Sequence, residues 1–172
     1  ILADFHPDSV NYLVDHSDSV LLYTDKEIWD KLDTSKFPKL KMAINVDDFS
    51  LLYSKDDDAK AAFDCLEEKY VEKYPAGVST SDVKFKVDNL NDLAVINYTS
   101  GTTSAPKGVM LTYGNLSASI QYGHENVSVH PEDKLVSMLP MAHIYGMVFE
   151  FLYPVTGGAA IYFLGKSPAP SL

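Results

Sequence analysis

The chain has 172 residues, 46% hydrophobic and 22% charged, with a net charge of −10 and a single cysteine, Cys65. At this length roughly 68–70% of the unfolded chain's surface is buried on folding, so a real core is expected. The composition excludes a wholly disordered chain, a collagen-like chain and a disulfide scaffold, and no apolar run reaches the ~18 to 20 residues of a membrane span.

The charge is uneven. Residues 1–92 hold 20 acidic and 11 basic residues, residues 93–172 only 4 and 3, and there is no arginine. A nucleic-acid surface needs clustered basic residues to displace counterions, so no nucleic-acid partner is expected. A phosphate ligand in the second part would rely on backbone geometry and single lysines. The lone cysteine fits a reducing, cytoplasmic setting. Residue 1 is Ile, with no signal-peptide pattern after it, and the last residues follow directly on a strand-like run. The sequence reads as an internal piece of a longer protein.

In chain order, Pro7 precedes an apolar rhythm at Val10, Leu13 and Val14, which predicts a short helix. Residues 19–23 read as a strand. Asp25 caps a helix carrying Ile28, Trp29 and Leu32 on one face. Residues 36–38 form a turn and 42–46 a strand. A helix is expected over 56–73, with Asp56, Asp57 and Asp58 at its positive end and Ala59, Ala62, Phe63, Leu66 and Tyr70 at helical spacing. Those three carboxylates need no metal to explain them. Pro75 and Gly77 end the helix, and 78–92 reads as a polar connector dividing an acidic α/β segment, 1–92, from a second α/β segment, 93–172. There the pattern predicts a strand at 93–98, a loop, a helix at 115–126, a strand at 134–140, an apolar helix at 143–156 and a strand at 159–165. This alternation predicts an α/β fold, a parallel-rich sheet with crossover helices.

The loop carries the chemistry. It runs Tyr98-Thr99-Ser100-Gly101-Thr102-Thr103-Ser104-Ala105-Pro106-Lys107-Gly108. It leaves the carboxyl end of a strand, where α/β sheets meet ligands, and is expected to enter a helix. Four hydroxyls, those of Thr99, Ser100, Thr102 and Thr103, lie close together. Gly101 permits close backbone approach, and such a loop can turn N–H groups inward on an anion. Lys107 adds a point charge on a flexible stem, and Pro106 fixes φ beside it. The set suits a polyphosphate. It is not the Gly-x4-Gly-Lys-Ser/Thr loop, nor a Gly-x-Gly-x-x-Gly dinucleotide loop. An ordinary polar loop is the plain alternative.

The string YTSGTTSAPKGVMLTYGNL resembles the phosphate-binding signature of the AMP-forming adenylate synthetases: acyl-CoA synthetases, luciferases and peptide-synthetase adenylation domains. LVSMLPMAHIYG (135–146) is similar to the family's next motif. PMAHIYG and the segment 7–25 look most like long-chain fatty acyl-CoA synthetases. Three positions depart from the pattern: Ser104 stands where Gly is usual, Tyr113 where His is common, and Gly146 where Glu or Pro is frequent.

The resemblance implies that the chain is part of a larger adenylate-forming N-terminal domain. The parent would activate a carboxylic acid with ATP as acyl-adenylate, release pyrophosphate and pass the acyl group to CoA. Thr99, Ser100, Gly101, Thr102, Thr103 and Lys107, with Ser104 and Gly108 of the same string, would hold the phosphates, and Thr99 would touch Mg²⁺. Lys107 and His143 would be catalytic, His143 lying near the acyl carboxylate and the α-phosphate. Met141, Ile144, Tyr145, Met147, Val148 and Phe149 would supply core and, for some, an acyl tunnel. The adenine and ribose contacts, the acidic Mg²⁺ ligand and a catalytic lysine of a C-terminal domain would lie outside this chain, leaving the isolated piece inactive. His124, His130 and Cys65 match no motif. Rival readings are an adenylating enzyme for aryl, short-chain or amino acids, and a non-catalytic nucleotide-binding module. Open strand edges predict self-association. The parent is expected in the cytoplasm, with peripheral membrane attachment left open.

Overall fold

The computed structural model describes residues 5–84, 89–99 and 106–164. The chain divides into two compact units, Phe5–Lys86 and Val87–Leu172 together with Ile1–Asp4.

In the Phe5–Lys86 unit, α1 (Pro7–His16) starts on Pro7, whose missing N–H costs nothing in a first turn. It buries Val10, Leu13 and Val14, as the apolar rhythm predicts, and also Asn11. The Asn11 side-chain oxygen accepts from the Asp33 N–H at 3.1 Å, which offsets the cost of burying the amide. Strand β1 (Leu21–Thr24) pairs in parallel with β2 (Met42–Asn45), which pairs antiparallel with β3 (Leu51–Ser54). Between β1 and β2 lies α2 (Lys26–Trp29), capped by Asp25, whose carboxylate accepts from the Ile28 N–H at 2.7 Å. Val10, Val14, Phe37, Leu40 and Ala43 form the core, with Trp29 and Tyr53 packed on it. Strand β3 lies outside the sequence-derived elements.

The helix expected over 56–73 is two helices, α3 (Asp57–Asp64) and α4 (Leu66–Lys73), joined at Cys65 with ψ near zero. Asp64 and Cys65 are consecutive weak helix formers, and neither helix buries a residue. Asp56 caps α3 by accepting from the Ala59 N–H, a specific bond where the sequence suggests only acids at the helix's positive end.

In the other unit, β4 (Leu93–Thr99) and β5 (Lys107–Thr112) form an antiparallel pair. The loop therefore enters a strand, not a helix. A parallel crossover needs a dozen or more residues, so two strands this close in sequence can only form a hairpin. The helix follows as α5 (Tyr113–Asn126), opened by a reciprocal capping pair between Thr112 and Asn115. Strand β6 (Lys134–Ser137) pairs in parallel with β7 (Ala160–Phe163), the crossover arrangement that the alternation predicts. The crossover contains a π-helical segment, Gly146–Leu152, running into α6 (Tyr153–Thr156). Among the described residues the sheets are thus mixed, two pairs parallel and two antiparallel.

Candidate functional site

The hairpin register sets Thr99 opposite Lys107 and Tyr98 opposite Gly108. Both Thr99 and Lys107 are exposed, at the mouth of the segment that joins the two strands. Ser100, Gly101, Thr102, Thr103 and Ser104 lie outside the described residues. Lys107 forms no ion pair among the described residues. Gly108 has a packing reason to be glycine: a Cβ there would stand 2.9 Å from Ile96 Cγ2 and 3.2 Å from Tyr98 Cε1.

The next motif approaches the same strand. Asn97, half-buried on β4, donates from Nδ2 to the Ala142 carbonyl at 2.9 Å. His143 follows immediately and is exposed. Its N–H donates to the Pro140 carbonyl at 2.9 Å, closing a turn, and its Nδ1 accepts from the Tyr145 N–H at 3.3 Å. In the neutral ring that contact leaves the proton on Nε2, so His143 offers Nε2–H as a donor. Gly146 is buried, and a Cβ there would lie 2.8 Å from the Pro140 carbonyl oxygen. The turn 140–146 is too tight for a side chain at this position, which accounts for glycine where Glu or Pro is frequent.

Glu150, on the π-helical segment, places Oε2 where three donors converge. They are Ser137 Oγ at 2.9 Å, the Met138 N–H at 2.9 Å and the Leu139 N–H at 2.8 Å. These bonds end β6 at Ser137, short of the strand expected to run to 140, because the next two N–H groups are taken by the carboxylate.

The structure thus sets Thr99, Lys107 and Gly108 on one hairpin and ties the His143 turn to the same strand through Asn97. Reading the sequence missed Asn97 and Glu150. Both sit inside recognisable motif surroundings, but nothing in their spacing signals a long-range hydrogen bond. Of the apolar residues near His143, Val148 is buried, Tyr145 is exposed, and Met141, Ile144, Met147 and Phe149 are half-buried. Tyr145 and Phe149 stack with ring centroids 4.8 Å apart. Tyr113, the first residue of α5, donates its N–H to the Asp92 carbonyl. His124 and His130 are exposed; His124 Nε2 lies 2.9 Å from Thr156 Oγ1. Cys65 is a half-buried free thiol. Among the described residues no group of three or more His, Cys, Asp or Glu is gathered for a metal, and no helix is long and apolar enough to cross a membrane.

The family model for AMP-binding enzymes matches residues 1–172. The chain belongs to the AMP-binding enzyme family. A peroxisomal acyl-CoA ligase of Penicillium brevicompactum is 29% identical over 93% of this chain and 24% of its own length. Long-chain-fatty-acid–CoA ligase 4 of Saccharomyces cerevisiae is 32% identical over 78% of this chain and 22% of its own. The peroxisomal long chain acyl-CoA synthetase 7 of Arabidopsis thaliana is 46% identical over a shorter stretch, 42% of this chain and 10% of that protein. The chain therefore spans about a quarter, or less, of the length of these curated relatives.

Among solved structures, ATP-bound MatB from Rhodopseudomonas palustris matches with a TM-score of 0.68 and 21% identity. It covers 96% of this chain and 29% of its own. An anthranilate CoA ligase, AuaEII, in complex with anthranoyl-AMP matches with a TM-score of 0.73 and 16% identity, covering 96% of this chain and 30% of its own. At these identities the likeness shows the fold of the AMP-binding enzyme: the mixed α/β architecture is shared across almost the whole chain.

Proposed function

We propose that this chain is part of the N-terminal domain of an ATP-dependent acid–thiol ligase. The whole enzyme joins a carboxylic acid, probed first as a long-chain fatty acid, to CoA through an acyl-adenylate. Family membership supports the nucleotide, and the long-chain names of the relatives support the acid. One observation carries the site reading. The Asn97–Ala142 hydrogen bond brings the His143 turn against β4, the strand whose last residue, Thr99, stands in register with Lys107.

In this reading the segment 99–104 grips the β- and γ-phosphates with hydroxyl and backbone N–H groups, and Gly108 lets β5 pack closely on Ile96 and Tyr98 of β4. The Lys107 ammonium neutralises charge that grows on the leaving pyrophosphate. The substrate carboxylate oxygen attacks the α-phosphorus, forming one P–O bond as the bond to the bridging pyrophosphate oxygen breaks. His143 donates from Nε2 to the substrate carboxylate and orients its attack. The thiol of CoA then displaces AMP. Bound Mg²⁺ supplies charge neutralisation across the phosphates. The Thr99 hydroxyl is a hard oxygen donor of the type Mg²⁺ accepts, and one such donor fits an ion held mainly by phosphate and water.

The proposed compartment is the cytoplasm, and attachment of the whole protein to a membrane is an outcome of the same test. Three relatives carry peroxisomal names, so fractionation against cytosolic, peroxisomal and membrane markers decides it. The reaction is tested by ATP–pyrophosphate exchange in the full-length protein, with acids from acetate to palmitate plus aryl and amino acids. Exchange stimulated by long-chain acids is expected. Exchange with aryl or amino acids alone keeps the chemistry and overturns the substrate. ATP binding without exchange for any acid marks a non-catalytic nucleotide-binding protein.

A further inference from the structure

The loop between β6 and the π-helical segment carries His143, and it is held at two places. Asn97 fixes its middle through Ala142. Glu150 fixes its start, where one carboxylate oxygen accepts from Ser137 Oγ, the Met138 N–H and the Leu139 N–H. The Pro140 carbonyl, next along the chain, accepts from the His143 N–H. The path from Glu150 to His143 is therefore a continuous run of short hydrogen bonds and covalent geometry.

We propose that Glu150 is a positioning residue for the acid-binding turn: its carboxylate, clasping residues 137–139, sets where His143 stands. This rests on the adenylation reading above and deepens it.

Three features support the assignment. All three contacts of Oε2 are to donors of the chain itself, and charge-assisted bonds to backbone N–H groups are short and strong. Ser137 is 4% exposed, so its hydroxyl has little access to water in place of Glu150. Glu150 lies inside a π-helical segment that begins just after His143, and π-turns cost helix regularity and recur at functional sites. Neither Asn97 nor Glu150 would touch ATP phosphates through these contacts, so the effect should fall on the acid and not on the nucleotide.

The test uses ATP–pyrophosphate exchange by the full-length protein, with KM measured separately for acid and for ATP. Glu150→Ala is expected to raise the acid KM about tenfold and leave the ATP KM within about twofold. Glu150→Gln keeps an acceptor oxygen in place and is expected to recover the acid KM to within about threefold of wild type. Ser137→Ala, which removes one donor of three, should shift the acid KM in the same direction by less. A purely structural role would lower the active fraction and leave both KM values alone. An unchanged acid KM in Glu150→Ala, or acid and ATP KM rising together, overturns the proposal. If Glu150→Ala does not fold, a Ser137→Ala protein with wild-type acid KM overturns it. Wild-type protein inactive with every acid defeats the adenylation reading and this proposal with it, whereas an active wild type with unshifted variants defeats this proposal alone.

Discussion

Lys107 is the residue on which the phosphate chemistry can be tested most directly. It is exposed, stands in register with Thr99, and forms no ion pair among the described residues. An ammonium without a carboxylate partner has no ion pair to break when it meets an anionic ligand. Lys107→Ala in the full-length protein is expected to lower kcat/KM for acid-dependent exchange by about a hundredfold to a thousandfold, the scale of removing one charge-stabilising donor. Unchanged exchange across ATP concentrations would take Lys107 out of the mechanism. Gly146 tests the neighbouring turn. A Cβ placed 2.8 Å from a backbone carbonyl oxygen cannot be relieved by a side-chain rotation. Gly146→Ala should therefore displace the Pro140–His143 turn, and the acid KM should rise more than the ATP KM does.

At the scale of elements, two contacts show how helices are held. On α5, Gly123 is buried, and a Cβ there would lie 2.7 Å from the Tyr153 ring. Tyr153 is itself buried and donates its hydroxyl to the Val127 carbonyl. Alanine is the better helix former by about 1 kcal/mol, but overpacking against a fixed ring costs about 1–3 kcal/mol. Gly123→Ala is expected to destabilise, seen as a lower urea midpoint. On α1, Asp8 and Lys36 form an ion pair at 3.0 Å. The bond to Lys36 holds the Asp8 carboxyl below its ordinary 3.8, and Asp8 raises Lys36 above its ordinary 10.5. A lowered carboxyl contributes stability present above 3.8 and lost as pH falls through its folded value. A raised ammonium contributes stability present below 10.5 and lost as pH rises through its folded value. Lys36→Ala should thus lower the urea midpoint slightly and evenly between those limits. The gap to wild type should close in acid and in high salt, because both partners are exposed and screened.

For the whole molecule, the governing fact is apolar surface left in water. Met110, Phe49, Tyr162 and Phe163 are each more than half exposed, and the sheets are small, one of three strands and two of two among the described residues. Small sheets have proportionally many edges, and exposed edges invite pairing. The 172-residue chain alone is expected to self-associate, with sedimentation showing species that grow with concentration. A monomer at all concentrations would contradict this. The same chain alone is expected to form no acyl-adenylate, since it spans about a quarter of its longer-matching relatives. Fatty-acid-dependent AMP formation by it would overturn that.

Local pattern determined much of this. Helix α1, the Asp25 cap and strands β1, β2, β4, β6 and β7 follow from spacing and capping chemistry, which act over a few residues. The order of the loop residues and of the PMAHIYG string carried the family, confirmed over the full chain. Tertiary structure decided the rest. The turn of β4 into β5, the break at Cys65 and strand β3 depend on which strands find partners, and short apolar runs do not declare that. Asn97 and Glu150 became legible only when folding brought them to Ala142 and to residues 137–139, 45 and 11 to 13 positions away. Hydrogen bonds across such separations leave no periodic trace in sequence, because their geometry exists only once the strands and the π-helical segment are packed.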